Sequence, residues 1–232
     1  MTGEDYKNGQ VILIDKPLEW TSFQVVNKVR WLLRKRFDIK KIKVGHAGTL
    51  DPLATGLLIL CTGKFTKQID TYQAQEKEYT GTFSLGTTTP SYDLETEIDQ
   101  EFDMSGITSE KIKTTALQFI GEIQQQPPVF SALKKDGKRL YEFARAGEEV
   151  EIPKRTVNIS VFEITNIDLP KVDFRVVCSK GTYIRSLAND FGKALDNGAH
   201  LSALRRTKIG DFLVEDAVSL EAFEADLNAT SL

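Results

Sequence analysis

The stretch that most constrains this chain is Gly45-His46-Ala47-Gly48-Thr49-Leu50-Asp51-Pro52-Leu53-Ala54-Thr55-Gly56. Three glycines, a proline, one of the chain's two histidines and a carboxylate fall within twelve residues. Glycine reaches backbone conformations closed to other residues, and Pro52 fixes φ immediately after Asp51. The segments on either side read as regular structure, so the stretch is a loop that can hold one carboxylate in a fixed, ligand-facing geometry. A carboxylate acting as nucleophile or general base must be ionised, rigidly held and shielded from water, with a neighbouring cation to keep its pKa low. Taken alone, Asp51 before Pro52 is also ordinary turn chemistry.

Around that loop the periodicities assign the elements. Val11–Ile14 reads as a short buried strand ended by Asp15-Lys16-Pro17. Thr21 followed by Gln24 fits a capping box. Val25, Val26, Val29, Leu32 and Leu33 then recur at helical spacing, which predicts a helix from about Ser22 to Arg36. After the loop, Leu57–Thr62 reads as a buried strand and Phe65–Ala74 as a short helix. Glu78–Leu85 places Tyr79, Gly81, Phe83 and Leu85 on one face of a strand. The acidic segment 93–103 reads as an exposed strand or a solvated loop. A helix near Ser109–Phe119 leads to Gln124-Gln125-Gln126-Pro127-Pro128, expected to be neither helix nor strand.

Lys135-Asp136-Gly137-Lys138 carries the Asp-Gly signal of a tight hairpin, and Tyr141–Arg145 reads as one or two helical turns. Val157–Ile167 and Val172–Cys178 are strands; Ile184, Leu187, Ala188, Phe191 and Leu195 define a helix. Leu201–Phe212 returns as a strand, and Ser219–Leu227 closes as a small acidic helix. Strands outnumber helices and come in runs, which points to an α+β fold with a central mixed, largely antiparallel sheet flanked by helices. With no repeat and no linker, one compact domain is the simplest partition.

Composition narrows the function. Hydrophobic content of 41% and charged content of 27% are ordinary for a soluble globular protein. The N-terminus lacks a secretory signal pattern, and the apolar runs are too short to span a bilayer. Cys61 and Cys178 sit in apolar runs, which favours buried free thiols and a cytoplasmic, reducing compartment. Net charge is −3, yet eight Lys or Arg fall between Lys28 and His46 against one acid, Asp38. That run is either a solvated helix end, favourable at the negative pole of the helix dipole, or a local phosphate-binding surface. Other chemistries fail on residues. Thr62-Gly63-Lys64 resembles the end of a phosphate loop, but Leu58 stands where the first glycine is needed. An Asp-x-Asp phosphotransfer motif would need an acid at Leu53, and His46 and His200 have no metal-ligand spacing around them.

Two further clusters remain. In Cys178-Ser179-Lys180-Gly181-Thr182-Tyr183-Ile184-Arg185, a glycine bends strand into helix, Thr182 is placed to cap, and Arg185 enters the first helical turn. A cation there opposes the helix dipole, so Arg185 is either matched to a carboxylate or phosphate or is a snorkelling surface residue. In Gln126–Lys135 and Lys138-Arg139-Leu140-Tyr141, basic and aromatic residues interleave on a hairpin. Such a surface suits RNA, whose bases stack on rings while cations meet phosphates. Arg205-Arg206 adds charge near the C-terminal end, and Tyr79 by itself reads as core packing.

Together these segments resemble the TruB-type pseudouridine synthases. The Gly45–Gly56 stretch is similar to that family's catalytic-aspartate motif. Leu13-Ile14-Asp15-Lys16-Pro17 with Thr21-Ser22, Lys77-Glu78-Tyr79 to Leu85-Gly86, Gln126-Pro127-Pro128 to Arg145-Ala146-Gly147, Ser179–Arg185 and His200–Arg206 follow in the family's order. The resemblance implies an enzyme that isomerises uridine to pseudouridine at position 55 in the tRNA T loop, on a flipped-out base and without a cofactor. Asp51 would be the nucleophile, attacking either the sugar C1′ or the uracil C6. Tyr79 would stack on the uracil and assist proton removal from C5, and Arg185 would pair with Asp51. His46, Tyr183, Leu204 and Lys16 would be substrate-binding positions. The 20 residues after Phe212 are too few for a PUA-type RNA-binding domain. The expectation is therefore a single catalytic domain over residues 1–232, acting on tRNA as a monomer without a protein partner. The family's usual glycine after Lys-Pro is replaced by Glu19, and Pro90 and Thr96 also depart from its pattern. A synthase for another RNA and a non-catalytic tRNA-folding factor are the rival readings.

Overall fold

The computed structural model describes residues 1–229 apart from Ala132, Asp136, Gly147 and Glu149. Seven helices are seen among them: α1 (Gly3–Asn8), α2 (Ser22–Phe37), α3 (Ile69–Ala74), α4 (Ser109–Leu117), α5 (Leu140–Ala146), α6 (Ile184–Ala194) and α7 (Leu220–Ala229). The first six strands are β1 (Val11–Lys16), β2 (Val44–His46), β3 (Ala54–Thr62), β4 (Lys77–Leu85), β5 (Thr87–Thr88) and β6 (Gln100–Glu101). They are followed by β7 (Gly121–Gln125), β8 (Lys134–Lys135), β9 (Lys138–Arg139), β10 (Arg155–Asp168), β11 (Lys171–Cys178), β12 (Ala199–Ile209) and β13 (Phe212–Leu213). Nine strands form one mixed sheet in the order β1-β3-β12-β4-β11-β10-β7, with β2 added to β3 and β13 to β12. The α+β expectation holds. No described helix is long and apolar enough to cross a membrane.

Two compact units are distinguished: Met1–Tyr79 with Leu204–Leu232, and Thr80–Ala203. In the first, β3 is the spine. Leu57 to Cys61 are wholly buried because the strand is covered on both faces, and burying each such aliphatic chain stabilises the fold by about 1.5–3 kcal/mol. On one side Val25, Val26, Val29, Leu32 and Leu33 of α2 pack with Ile12, Ile14, Leu58, Leu60 and Phe223. On the other, Ala47, Leu57, Ile59, Cys61, Ile209 and Val214 make a second cluster. Helix α2 opens with the Thr21–Gln24 capping box and ends in the left-handed residue Asp38. The second unit has an aromatic core in which Phe83 stacks on Phe174 at 4.2 Å between centroids, with Phe162 and Phe191 at its edges.

Two local expectations need correction. Gln124 and Gln125 belong to β7, paired with Thr156 and Arg155 of β10, because an edge strand needs only one partner. The final long strand ends at Ile209; Gly210, at φ +54°, turns the chain so that Phe212–Leu213 folds back on Lys208–Ile209. Of the two readings left open for the acidic segment, the loop is the one seen, with only Gln100–Glu101 in a two-strand ladder against Thr87–Thr88. Helix α1, which periodicity alone does not reveal, is nucleated by a Thr2–Asp5 capping box. The hairpin signal is met by the pairing of Lys134 with Arg139 and Lys135 with Lys138, while Asp136 lies outside the described residues.

Candidate active site

Asp51 sits in the loop between β2 and β3, on the first unit. Three side chains from elsewhere in that unit fasten the loop. Ser22, the first residue of α2, has its hydroxyl 2.8 Å from the Leu50 N–H, which donates to it, and 3.1 Å from the Leu50 carbonyl, which it donates to. Arg206 is 1% exposed and donates through Nε to the Leu57 carbonyl at 2.8 Å and through Nη2 to the Gly48 carbonyl at 3.1 Å. Its Nη1 reaches the Thr49 carbonyl at 3.5 Å. Lys16, with no exposed surface, donates from Nζ to the carbonyls of Pro17 at 2.8 Å, Trp20 at 2.6 Å and Pro52 at 3.4 Å. The Pro52 carbonyl also accepts the Glu19 N–H at 2.8 Å, and the Asp51 carbonyl accepts the Ala54 N–H at 3.1 Å. The residues flanking the carboxylate on both sides are thus tied to fixed points.

Strand alternation explains how these cations come to be inside. In β1 the buried face is Ile12, Ile14 and Lys16, so the pleat that buries two aliphatic residues carries the ammonium in with them. Asp15, on the opposite face, meets Arg205 at 2.7 and 3.0 Å. In β12 the same alternation sends Arg205 to Asp15 and Arg206 under the loop. β12 runs parallel to β3, matching Leu204 with Ala54, Arg205 with Thr55 and Arg206 with Gly56. Gly56 is at φ +105°, and a Cβ there would lie 2.3 Å from the Arg206 carbonyl oxygen, so only glycine permits this approach.

Burial lowers the Lys16 pKa to about 8, the Arg206 charge pushes it the same way, and the Asp51 carboxylate opposes both. Asp51 therefore has a buried cation within electrostatic reach. The His46 imidazole is likewise pushed down by burial and then by Arg206, which keeps it neutral at pH 7. For Lys16 the sign is clear. Between about pH 8 and 10.5 the unfolded chain holds a proton that the folded chain has lost, so stability contributed by this group rises with pH across that window. Melting of the protein against a Lys16→Met variant from pH 7 to 10.5 checks this: the difference should move in favour of the unsubstituted chain. Arg206→Met, which leaves the Gly48 and Leu57 carbonyls without their donor at about 1–3 kcal/mol each, should lower the melting temperature. It should also speed amide exchange in residues 47–53.

The other expected site residues fall as follows. Tyr79 is buried on β4, with 9% of its surface exposed, at the boundary of the first unit. Leu204, half-buried, neighbours Ala54 in the parallel ladder. Arg185 and Tyr183 belong to the second unit. Arg185 is 3% exposed, which rules out the snorkelling surface role. Its Nε lies 3.6 Å from Asp93, also buried, and its Nη1 donates to the Phe130 carbonyl at 2.8 Å and reaches the Ser91 carbonyl at 3.4 Å. A carboxylate and two carbonyls offset the unfavourable placement at the start of α6. Thr182 does not cap that helix. Its hydroxyl donates to the Ser179 carbonyl, and the N-cap residue, Tyr183, does not cap the helix with its side chain. Instead the buried Gln125 amide takes the Tyr183 N–H at 2.8 Å and donates to its carbonyl at 3.0 Å. Arg155 stacks over the Tyr183 ring at 5.2 Å. The sequence carried no local signal for Gln125 as the holder of Tyr183, for Asp93 as the partner of Arg185, or for the burial of Arg206 beneath the Asp51 loop. Of the basic hairpin, Lys138 lies 5.5 Å over Phe143, while the side chains of Lys134, Lys135, Arg139 and Tyr141 lie outside the described residues.

The family model described as "TruB family pseudouridylate synthase (N terminal domain)" matches residues 34–184, and "tRNA pseudouridylate synthase B C-terminal domain" matches residues 185–231. The chain belongs to the TruB family. Among curated TruB relatives, the tRNA pseudouridine synthase B of Flavobacterium johnsoniae is 64% identical over 228 residues, covering 98% of this chain and 100% of its own. That of Phocaeicola vulgatus is 55% identical over 219 residues, covering 94% and 93%. A chain of a solved Cbf5-Nop10-Gar1 complex superposes with a TM-score of 0.72 at 31% identity, over 97% of this chain and 56% of that one. A second, from an H/ACA RNP bound to a substrate RNA containing 2′-deoxyuridine, gives 0.69 at 29%, over 96% and 54%. This chain thus spans little more than half the length of those two solved chains. Membership in the TruB family makes it a pseudouridine synthase, as the resemblance of its motifs implied.

Proposed function

We propose that this chain isomerises uridine to pseudouridine at position 55 in the T loop of tRNA, with Asp51 as the nucleophile. The observation that carries this reading is the Asp51 loop itself, braced from beneath by Lys16 and Arg206 in a TruB-family chain. A preorganised carboxylate close to a buried cation stays ionised and aimed. Attack at the sugar C1′ or the uracil C6 precedes cleavage of the N-glycosidic bond. The uracil rotates and C5 bonds to C1′, which displaces the Asp51 carboxylate where it holds C1′; where it holds C6, elimination releases it. The C5 proton is lost and N1 takes up a proton, so no electron donor or acceptor is needed. Tyr79 stacks on the uracil and helps the C5 proton leave, and Arg185 supports the nucleophile's ionised form. His46, neutral, contacts RNA by hydrogen bonding rather than charge, while Tyr183 and Leu204 line the base pocket. Lys16 contributes through the loop that it holds. The chain acts as a single catalytic domain, as a monomer in the cytoplasm.

Mapping pseudouridine in cellular RNA with and without this protein tests the reading. Position 55 of tRNA should lose its modification when the protein is absent and regain it on addition of the purified enzyme. Loss at a ribosomal site with tRNA unchanged would assign a different RNA.

A further inference from the structure

Helix α2 buries one face in the core and leaves the other bare. Residues four apart share a helical face, so Phe23, Asn27 and Trp31 form a stripe that Lys35 continues, with Arg34 alongside; all five are exposed. Phe23 is 64% exposed and Trp31 49%, unusual for rings on an otherwise core-packed helix. The ammonium groups of Lys28 and Lys35 lie 5.1 and 4.9 Å from the Trp31 ring centroid. Past the helix, Lys40, Lys41 and Lys43 are exposed as well. Nearby acids are few: Asp38 caps the helix, and Glu224 of α7 pairs with Lys28 at 2.8 Å. Among the described residues no carboxylate pairs with Arg34, Lys35, Lys40, Lys41 or Lys43.

This patch is connected to the Asp51 loop at both ends. Ser22, at the start of α2, bonds both the N–H and the carbonyl of Leu50, and the lysine-bearing segment 38–43 runs directly into β2 and His46. Trp31 lies about 14 Å along the helix axis from Ser22 at ~1.5 Å per residue, a span of a few nucleotides. A ring flanked by ammonium groups offers a π-face to a base and charge to the adjoining phosphates. Asn27 interrupts the apolar stripe, which a hydrophobic protein interface or membrane surface would need unbroken.

We propose that the exposed face of α2 and the Lys40–Lys43 segment form a second RNA-binding surface. It takes substrate-RNA phosphates next to the target nucleotide on its Lys and Arg residues, and stacks an unpaired base on Trp31. The identity of the RNA as tRNA rests on the function proposed above. The test measures tRNA binding across a range of KCl in an Asp51→Asn background, where turnover does not intervene. Removing Arg34 and Lys35 together, as Ala variants, should make the slope of log affinity against log salt shallower by about 1.4–1.8, at ~0.7–0.9 for each phosphate that is no longer neutralised. Trp31→Ala should weaken binding by at least about fivefold, the lower bound for one stacked base. In a Trp20→Phe variant, Trp31 emission should change on tRNA addition. Lys113→Ala with Lys171→Ala removes the same net charge from exposed positions elsewhere and should leave the slope in place. Tight binding with an unaltered slope, or an equal loss in that control pair, overturns this surface alone. Absence of tRNA binding by the otherwise unaltered protein overturns the substrate assignment as well.

Discussion

Pseudouridine formation on a T-arm stem-loop is expected to vanish in an Asp51→Asn variant while tRNA binding persists. Asparagine matches aspartate in shape, and the backbone tie from the Asp51 carbonyl to the Ala54 N–H is untouched. Only the negative charge, and with it the oxygen proposed as the nucleophile, is lost. The variant should therefore melt close to the original temperature. A second signature follows from electrostatics: the Asp51 carboxylate holds the Lys16 pKa up. Without it, Lys16 should titrate below about 8, visible by NMR of the labelled ammonium. Retained turnover would remove Asp51 from the chemistry, and an unmoved Lys16 would place that ammonium beyond the carboxylate's influence.

Arg185→Met is the second large effect, expected to lower the rate by orders of magnitude. Here two consequences must be separated. The guanidinium is buried with Asp93, and deleting one member of a buried pair costs about 3–5 kcal/mol through the charge left behind. Arg185→Lys keeps the charge but loses the planar fork that serves Asp93 and the Phe130 carbonyl together. It should melt above the Met variant yet remain far slower than the original. If Arg185→Lys turned over at the original rate, Arg185 would be a structural tie of the second unit and nothing more.

What was legible in the sequence was local. The Thr21–Gln24 box and the Val25-Val29-Leu33 spacing identify α2 to within a residue of its end, because both signals act within a few turns of chain. The glycine-rich loop was equally plain, although its last three residues already belong to β3. Missed features share one property: their causes lie far along the chain. Lys16 is singled out in the sequence only by the family resemblance, as a substrate-binding position, and its burial shows only once Trp20 and Pro52 gather around it. Arg206 looked like surface charge, since its acceptors Gly48 and Thr49 are more than 150 residues distant. Gln125 sat in a tract of glutamines and prolines that masks a strand, and its amide finds Tyr183 58 residues away. Arg185 opposes a helix dipole, and that conflict, visible in the sequence, marks a buried ion pair.

The braces under the Asp51 loop also impose an order on synthesis. Helix α2 and the loop leave the ribosome early, but Arg206 follows only after the whole of Thr80–Ala203 has been made. Until β12 docks beside Ala54–Gly56, a nascent chain carries its acid on a loop held by Lys16 and Ser22 but without its Arg206 ties. Competence is thereby deferred to the finished polypeptide, and a product released after residue 203 would be inert even with its carboxylate intact.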